Sequence, residues 1–297
     1  MQHTTCSAAY AGPMTDAPIF GPAHAPDLHV MTYNIRRRMR QNAPGSPDLW
    51  SRRQPLLRQL ISRERPTVLA TQEALPDQAL FISAVLGPHY RRIGYGRNAD
   101  GTGEGCPLFF DSRRLHLESW QQIALSETPD VAGSRSWGNL IPRVAVVARF
   151  IDVKTNEPLR VVSTHFDHIS RRARLRSAQQ LAALAASSDE PIIVMGDMNT
   201  DVGTVPFDAI AGVDGPLVDA WTAAGVRLTA PWGTFSNYRS PKTGTKRIDW
   251  ILVSPELQVR EAAINTSRFD GAAASDHEPV QVLLRPRKSP AGDAAAG

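Results

Sequence analysis

Apolar residues along this chain gather into short runs rich in valine, isoleucine and leucine, and most of those runs end in a polar residue. The runs at 28–35, 68–73, 108–110, 144–153, 159–165, 192–195, 248–253 and 280–284 read as strands. Between them the apolar period changes. Leu56, Leu57, Leu60 and Ile61, then Leu80, Ile82, Val85 and Leu86, and again Leu175, Ala178 and Ala182 fall at helical spacing, so each set predicts a helix that covers one face of a sheet. The alternation of the two periods predicts a mixed α and β domain. Stretches 127–139 and 230–246 predict long loops, the first holding Pro129, Gly133 and Gly138.

The ends read differently. Residues 1–26 carry Pro13, Pro18, Pro22 and Pro26, with neither the basic start nor the apolar stretch of a secretory signal. Residues 287–297 are mostly small. Both segments are expected as disordered tails, which leaves one domain over 27–286, without an internal repeat or a linker.

The 297 residues, 42% hydrophobic and 21% charged, suffice for a sizeable core. No apolar run approaches the roughly 20 residues of a membrane-spanning helix, so no membrane insertion is expected. The two cysteines, Cys6 and Cys106, give neither a disulfide framework nor a zinc site, and a reduced cytoplasm is the expected location. A formal net charge of +4 leans weakly toward an anionic partner.

The strand ends carry the chemistry. Asn34, Glu73, His165, Asp197 with Asn199, Asp249, and Asp276 with His277 all stand near the boundary of a predicted strand. Such side chains supply the hard oxygen ligands that Mg²⁺ takes and two histidines suited to phosphate chemistry. Alone, a Gly-Asp pair at a strand end is usually just a turn. Asp249 is harder to dismiss, because a carboxylate inside an apolar run must find a hydrogen bond or a cation. His277 is its candidate partner.

Six motifs in order, Thr32-Tyr33-Asn34-Ile35-Arg36, Gln72-Glu73, Ser163-Thr164-His165-Phe166-Asp167-His168, Gly196-Asp197-Met198-Asn199, Arg247-Ile248-Asp249-Trp250 and Ser275-Asp276-His277, resemble the endonuclease/exonuclease/phosphatase superfamily over nearly the whole predicted domain. The likeness is strongest to a bacterial subgroup of unassigned substrate, marked by Thr-His-x-Asp-His and by a segment like Leu125 to Pro129. The resemblance implies an α+β fold: a four-layer α/β sandwich, two mostly antiparallel sheets packed face to face and flanked by helices, with the site at one end. It implies Mg²⁺, with Mn²⁺ as the alternative, on Glu73 and Asp276, with Asn34 steadying the metal shell or a phosphate oxygen. Asp197 would orient and deprotonate the attacking water while Asn199 donates to a phosphate oxygen. Asp249 would hold His277 in one tautomer and favour its imidazolium. His165 would add a second donor or an acid toward the leaving group, a role that a metal-bound water fills equally well.

Other residues carry two readings. His165-x-Asp167-His168 is a structural network or a weak metal site in the bland reading, and in the functional one Asp167 supports while His168 meets substrate. The run Arg171, Arg172, Arg174 and Arg176 is a solvated basic face or an anion contact, with Arg172 the candidate. Arg36, Arg37, Arg38 and Arg40 raise the same question, Arg36 being the candidate, because related sequences often carry an acid shortly after Asn-Ile-Arg. Arg143, after Pro142, aims at phosphate. Trp137 either anchors its loop or stacks on a base. Met198 and Trp250 stand where phenylalanine and tyrosine are common, as packing exchanges.

The expected function is metal-dependent hydrolysis of phosphate esters, foremost by a phosphodiesterase or nuclease of exonuclease-like type, with nucleic acid or a small phosphorylated metabolite as partner. A phosphomonoesterase acting on such a metabolite is the alternative, and a non-catalytic nucleic-acid-binding module or a membrane-acting phospholipase ranks below. Oligomeric state is left open.

Overall fold

The structure is a computed structural model that describes residues 17–287 except Arg40. Cys6, residues 1–16 of the expected N-terminal tail and residues 288–297 of the expected C-terminal tail lie outside the described residues. In chain order the elements are β1 (Leu28–Asn34), α1 (Trp50–Glu64), β2 (Val68–Gln72), α2 (Pro76–Leu86), β3 (Tyr90–Ile93), β4 (Leu108–Asp111), β5 (Leu115–Ala124), β6 (Val144–Asp152), β7 (Glu157–His165), α3 (Arg171–Ala186), β8 (Ile192–Asp197), α4 (Val205–Ala211), β9 (Val218–Asp219), α5 (Ala220–Ala223), β10 (Val226–Arg227), β11 (Asp249–Val253), β12 (Leu257–Ile264) and β13 (Val280–Pro286). They form two sheets, one ordered β10-β12-β13-β1-β2-β4-β3 and the other β5-β6-β7-β8-β11-β9. Most ladders are antiparallel, but each sheet is built around a parallel pair, β1 with β2 and β7 with β8.

Period two sorts the apolar side chains of these strands between layers. On β1, Leu28 and Val30 face the seam between the sheets while Met31 and Tyr33 face α1 and α2. On β8, Ile193 and Met195 face the seam while Ile192 and Val194 face α3 and α4. The seam is completed by Val146, Ala148 and Phe150 of β6, Ile251 and Val253 of β11, and Val280, Val282 and Leu284 of β13. The result is the expected α+β sandwich, helix on sheet on sheet on helix, and each fully buried Val or Leu contributes roughly 1.5–3 kcal/mol.

The structure differs from the sequence expectation in several places, among them the short elements α4, β9, α5 and β10, which were not expected. β5, β3 and β12 were not among the expected strands: β5 and β3 are edge strands with several exposed positions, and a bulge between Val259 and Glu261 breaks the alternation of β12. Residues 17–26, expected as tail, lie against the domain. The backbone N–H groups of Ile19, Phe20 and Gly21 donate to the buried Glu64 carboxylate at the end of α1, and Gly21 O meets His29 Nδ1 at 2.8 Å. Among the described residues no helix is long and apolar enough to cross a membrane.

Candidate active site

Strand direction gathers the polar strand ends at one end of the sandwich. The parallel pairs β1 with β2 and β7 with β8 point their carboxyl ends there, delivering Asn34, Glu73, His165 and Asp197. β11 and β13 run against them, so their amino ends arrive at the same place, with Asp249 opposite Asp197 in register and Asp276 and His277 just ahead of Val280. Gly196 makes the closeness of β7 and β8 feasible, since a Cβ there would lie 1.9 Å from Thr164 O. The backbone turns sharply after the strands, with positive φ at Arg36, Glu73 and Asn199, a strained conformation for non-glycine residues that is common at functional sites.

Glu73, His165, Asp197, Asn199, Asp276 and His277 line a cleft of ≈ 320 Å³, with Asn34 and Asp249 buried behind them. Asn34 is the strut between the sheets. Its Nδ2 donates to Asp197 Oδ2 at 2.9 Å and to Glu73 Oε1 at 3.2 Å, while its Oδ1 accepts from Arg36 N at 3.0 Å. In this orientation the amide links two carboxylates and turns its oxygen to the Arg36 N–H. Arg36 bridges three acids: its Nη2 lies 3.3 Å from Asp48 Oδ2, its Nη1 3.8 Å from Glu73 Oε2 and its Nε 3.6 Å from Asp276 Oδ2. Tyr238 holds Asp48 from the 230–246 loop at 2.7 Å.

On the other side, His277 Nδ1 lies 2.9 Å from Asp249 Oδ2, its Nε2 lies 3.7 Å from Asp197 Oδ2, and the Phe235 ring packs against it. Asp249 is fully buried and its Oδ1 has no partner. Burial alone would lower the His277 pKa, but Asp249 and Asp197 overcome it and raise it well above the ordinary value. His165 shifts the opposite way. Burial, reinforced by the charges of Arg143 and Arg97, holds it well below the ordinary histidine range, so it is a neutral ring and not the stored proton that an acid would need. Its Nε2 accepts from Asn199 Nδ2 at 2.9 Å, and the same amide nitrogen donates to Phe166 O at 3.0 Å. Both Asn199 amide hydrogens therefore have internal partners.

The carboxylates separate as well. Burial, with Asp249 beside it, pushes Asp197 up to about 6, and burial also raises Asp276. Glu73 resists its own burial: the Arg37 N–H and the Arg36 charge hold it below the usual carboxylate range. Three buried acids, Asp197, Asp249 and Asp276, and the half-buried Glu73 thus face Arg36 and His277 as their cations, an imbalance that a bound divalent ion offsets. Glu73 and Asp276 offer the oxygen donors Mg²⁺ takes. Asp197, Asp249 and His277 also present donor atoms within 4.8 Å of one another, but a His277 held as imidazolium by Asp249 has no lone pair for a metal.

Of the other expected residues, Arg36, Arg143 and His168 line the cleft. Asp167 lies behind them, its Oδ1 accepting from Ile169 N and Ser170 N at the start of α3, where it offsets the arginines that open that helix. Arg172 is exposed on α3 and is not brought to the cleft. Trp137 is tied to its own loop through Glu127 Oε1 and takes no part in the lining. Sequence reading missed Arg97, Glu104 and Phe235. The glycines at 94, 96, 101, 103 and 105 were the available signal for the first two.

A sequence model described as Endonuclease/Exonuclease/phosphatase family matches residues 31–277. Among solved structures, the chain is similar to an endonuclease/exonuclease/phosphatase family protein from Bacteroides thetaiotaomicron, at 28% identity and a TM-score of 0.81, covering 88% of this chain and 98% of that one. It is also similar to a mannosyl-6-phosphatase from Bacteroides thetaiotaomicron, at 29% identity and a TM-score of 0.78, covering 86% of this chain and 99% of the other. Protein angel of Drosophila melanogaster is 27% identical over 179 residues, 57% of this chain. The match spans about half, 49%, of that curated relative's length.

Proposed function

Because the chain belongs to the endonuclease/exonuclease/phosphatase family, we propose that it is a divalent-metal-dependent hydrolase of phosphate esters that prefers diesters, including nucleic-acid ends. The observation that carries this is Asp197, poised between Asn34 and the Asp249–His277 pair and across the cleft from Glu73 and Asp276. Glu73 and Asp276 would hold Mg²⁺, or Mn²⁺ in its place. When bound, the ion offsets the charge that gathers on the phosphoryl oxygens.

The chain's own groups do the rest. Asp197, with a pKa pushed to about 6, is ionised at neutral pH yet basic enough to take a proton from the attacking water. His277, kept protonated by Asp249, donates from Nε2 toward a phosphoryl oxygen. Neutral His165 accepts from Asn199 and fixes that amide beside Asp197, whose Oδ1 accepts from Asn199 N at 2.9 Å. Cysteine usage favours a cytoplasmic location.

A phosphomonoesterase is the second reading, favoured by the similarity to a mannosyl-6-phosphatase. The deciding experiment compares Mg²⁺-dependent hydrolysis of bis(p-nitrophenyl) phosphate and p-nitrophenyl phosphate, with Asp197→Ala as control for contaminants. Diester cleavage abolished by chelator and by the variant supports the first reading. Monoester preference selects the second, and no hydrolysis of either leaves a narrow metabolite specificity or the non-catalytic module.

A further inference from the structure

The chemistry just described uses one end of the cleft and leaves the other unassigned. Along the sandwich's end the second sheet presents Arg143 just before β6, His165 on β7, Asp197 on β8 and Asp249 on β11. Neighbouring strands lie about 4.8 Å apart, so the two spacings from β6 across β7 to β8 separate the Arg143 backbone from that of Asp197 by roughly 10 Å. The Arg143 guanidinium is held on its own side, with Nη2 2.8 Å from His168 Nδ1 and Nε donating to Asp167 Oδ2 at 3.5 Å. Arg143 is only 3% exposed, and its last nitrogen, Nη1, is buried without a partner. A buried charged donor left unpaired is costly and calls for a ligand.

From the loop before β4, Arg97 joins the same wall. Its Nη1 lies 2.8 Å from Glu104 Oε2, and the other oxygen of Glu104 accepts from Arg37 Nη1 at 2.7 Å. One carboxylate serves two guanidiniums while Arg143 has only a long contact with Asp167, so this end carries surplus positive charge. Arg97, Arg143 and Glu104 also bound a small recess that opens beside His165 and Cys106.

We propose that Arg97 and Arg143 form a second anion subsite beside the reacting phosphate, and that the substrate carries a second phosphate there. This rests on the phosphoesterase reading and narrows it. Guanidinium groups match phosphate oxygens in geometry and stay charged when desolvated. A nucleotide bearing two phosphates, or a polynucleotide backbone, satisfies both ends of the cleft, whereas a sugar monophosphate leaves Arg143 Nη1 unpaired.

The test is calorimetric titration of chelator-treated protein with inorganic phosphate, then with adenosine 3′,5′-bisphosphate and adenosine 3′-monophosphate. The wild type binds phosphate without metal, and Arg97→Gln or Arg143→Gln weakens binding about tenfold or more, the size of one lost charge-assisted hydrogen bond. Arg172→Gln leaves it within about twofold, because that side chain stands exposed on α3 outside the cleft. The bisphosphate binds about tenfold tighter than the monophosphate to wild type and equally well to Arg97→Gln. Arg143 is buried, so its variant is checked by thermal melting, and Arg97→Gln carries the test if Arg143→Gln unfolds. Phosphate binding indifferent to both arginines, no phosphate uptake by the wild type, or equal wild-type affinity for the two nucleotides overturns the proposal. Binding without metal is read independently of hydrolysis, so an inactive protein that still takes phosphate through Arg97 counts against the phosphoesterase reading alone.

Discussion

The two βαβ units that meet at the site, β1–α1–β2 and β7–α3–β8, share a topology and differ in chemistry. Each is a parallel pair at the heart of its sheet, with the connecting helix packed on the outer face and polar residues at its carboxyl ends. Each is flanked by an antiparallel strand that brings further polar groups, β13 for the first and β11 for the second. In the first unit Glu73 sits beside Arg36 and the Arg37 N–H and is held in the ionised form. In the second Asp197 faces Asp249 with burial as its dominant influence, and its pKa rises to about 6. One carboxylate is thereby suited to a cation and the other to a proton. The difference lies in the neighbours' charge and not in the scaffold.

The sharpest way to break this contrast is Asp197→Asn, which keeps the shape and removes the base. Turnover should fall about a thousandfold, within the range for general bases, with little change in KM. The melting temperature should stay level or rise. Asp197 has a raised pKa in the folded state, so its ionised form opposes folding above the unfolded pKa, and that penalty vanishes with the charge. Unchanged turnover would remove Asp197 from the mechanism. Glu73→Gln tests the other unit: the Mg²⁺ concentration for half-maximal rate should rise about ten- to a hundredfold, with partial recovery at high Mg²⁺. A lost rate that no amount of metal restores would argue against a ligand role.

Acidity separates the two carboxylates. The rate in kcat should fall about tenfold per pH unit below about 6, as Asp197 takes up a proton, while Mn²⁺ binding followed by electron paramagnetic resonance in an Asp276→Asn variant, which removes the ligand whose pKa burial raises, persists further into acid because Glu73 stays ionised. A common midpoint for rate and metal binding would dissolve the distinction. The smallest effect belongs to Arg172→Gln, expected to leave kcat/KM within about twofold because the side chain stands in solvent outside the cleft. A tenfold loss would mean that substrate extends over α3.

The chemical end of the sandwich was legible because its strands are buried on both faces. β1, β2 and β8 read as near-continuous apolar runs, so a carboxylate or histidine at their ends stands out. Edge strands give no such signal: β5 alternates little and exposes Trp120 and much of its length. Arg97 and Glu104 come together through a glycine-rich loop with no period to read. Arg172 was misplaced for a related reason, since a cluster of charges in sequence does not say which way each points around a helix. Asn199 and Asn34 come together with the strand-end acids, but their hydrogen-bond directions depend on partners from other strands.

Gly196 sets a limit on how this protein can drift. A copy that abandoned catalysis could exchange Asp197 or His277 for neutral isosteres and keep its shape. Any side chain at position 196 would instead meet the Thr164 carbonyl and part β7 from β8, the seam on which the His165–Asp197 contact of 3.4 Å depends. In descendants of this sequence the glycine should therefore outlast the acid next to it, and its presence alone is a record of ancestry and not of activity.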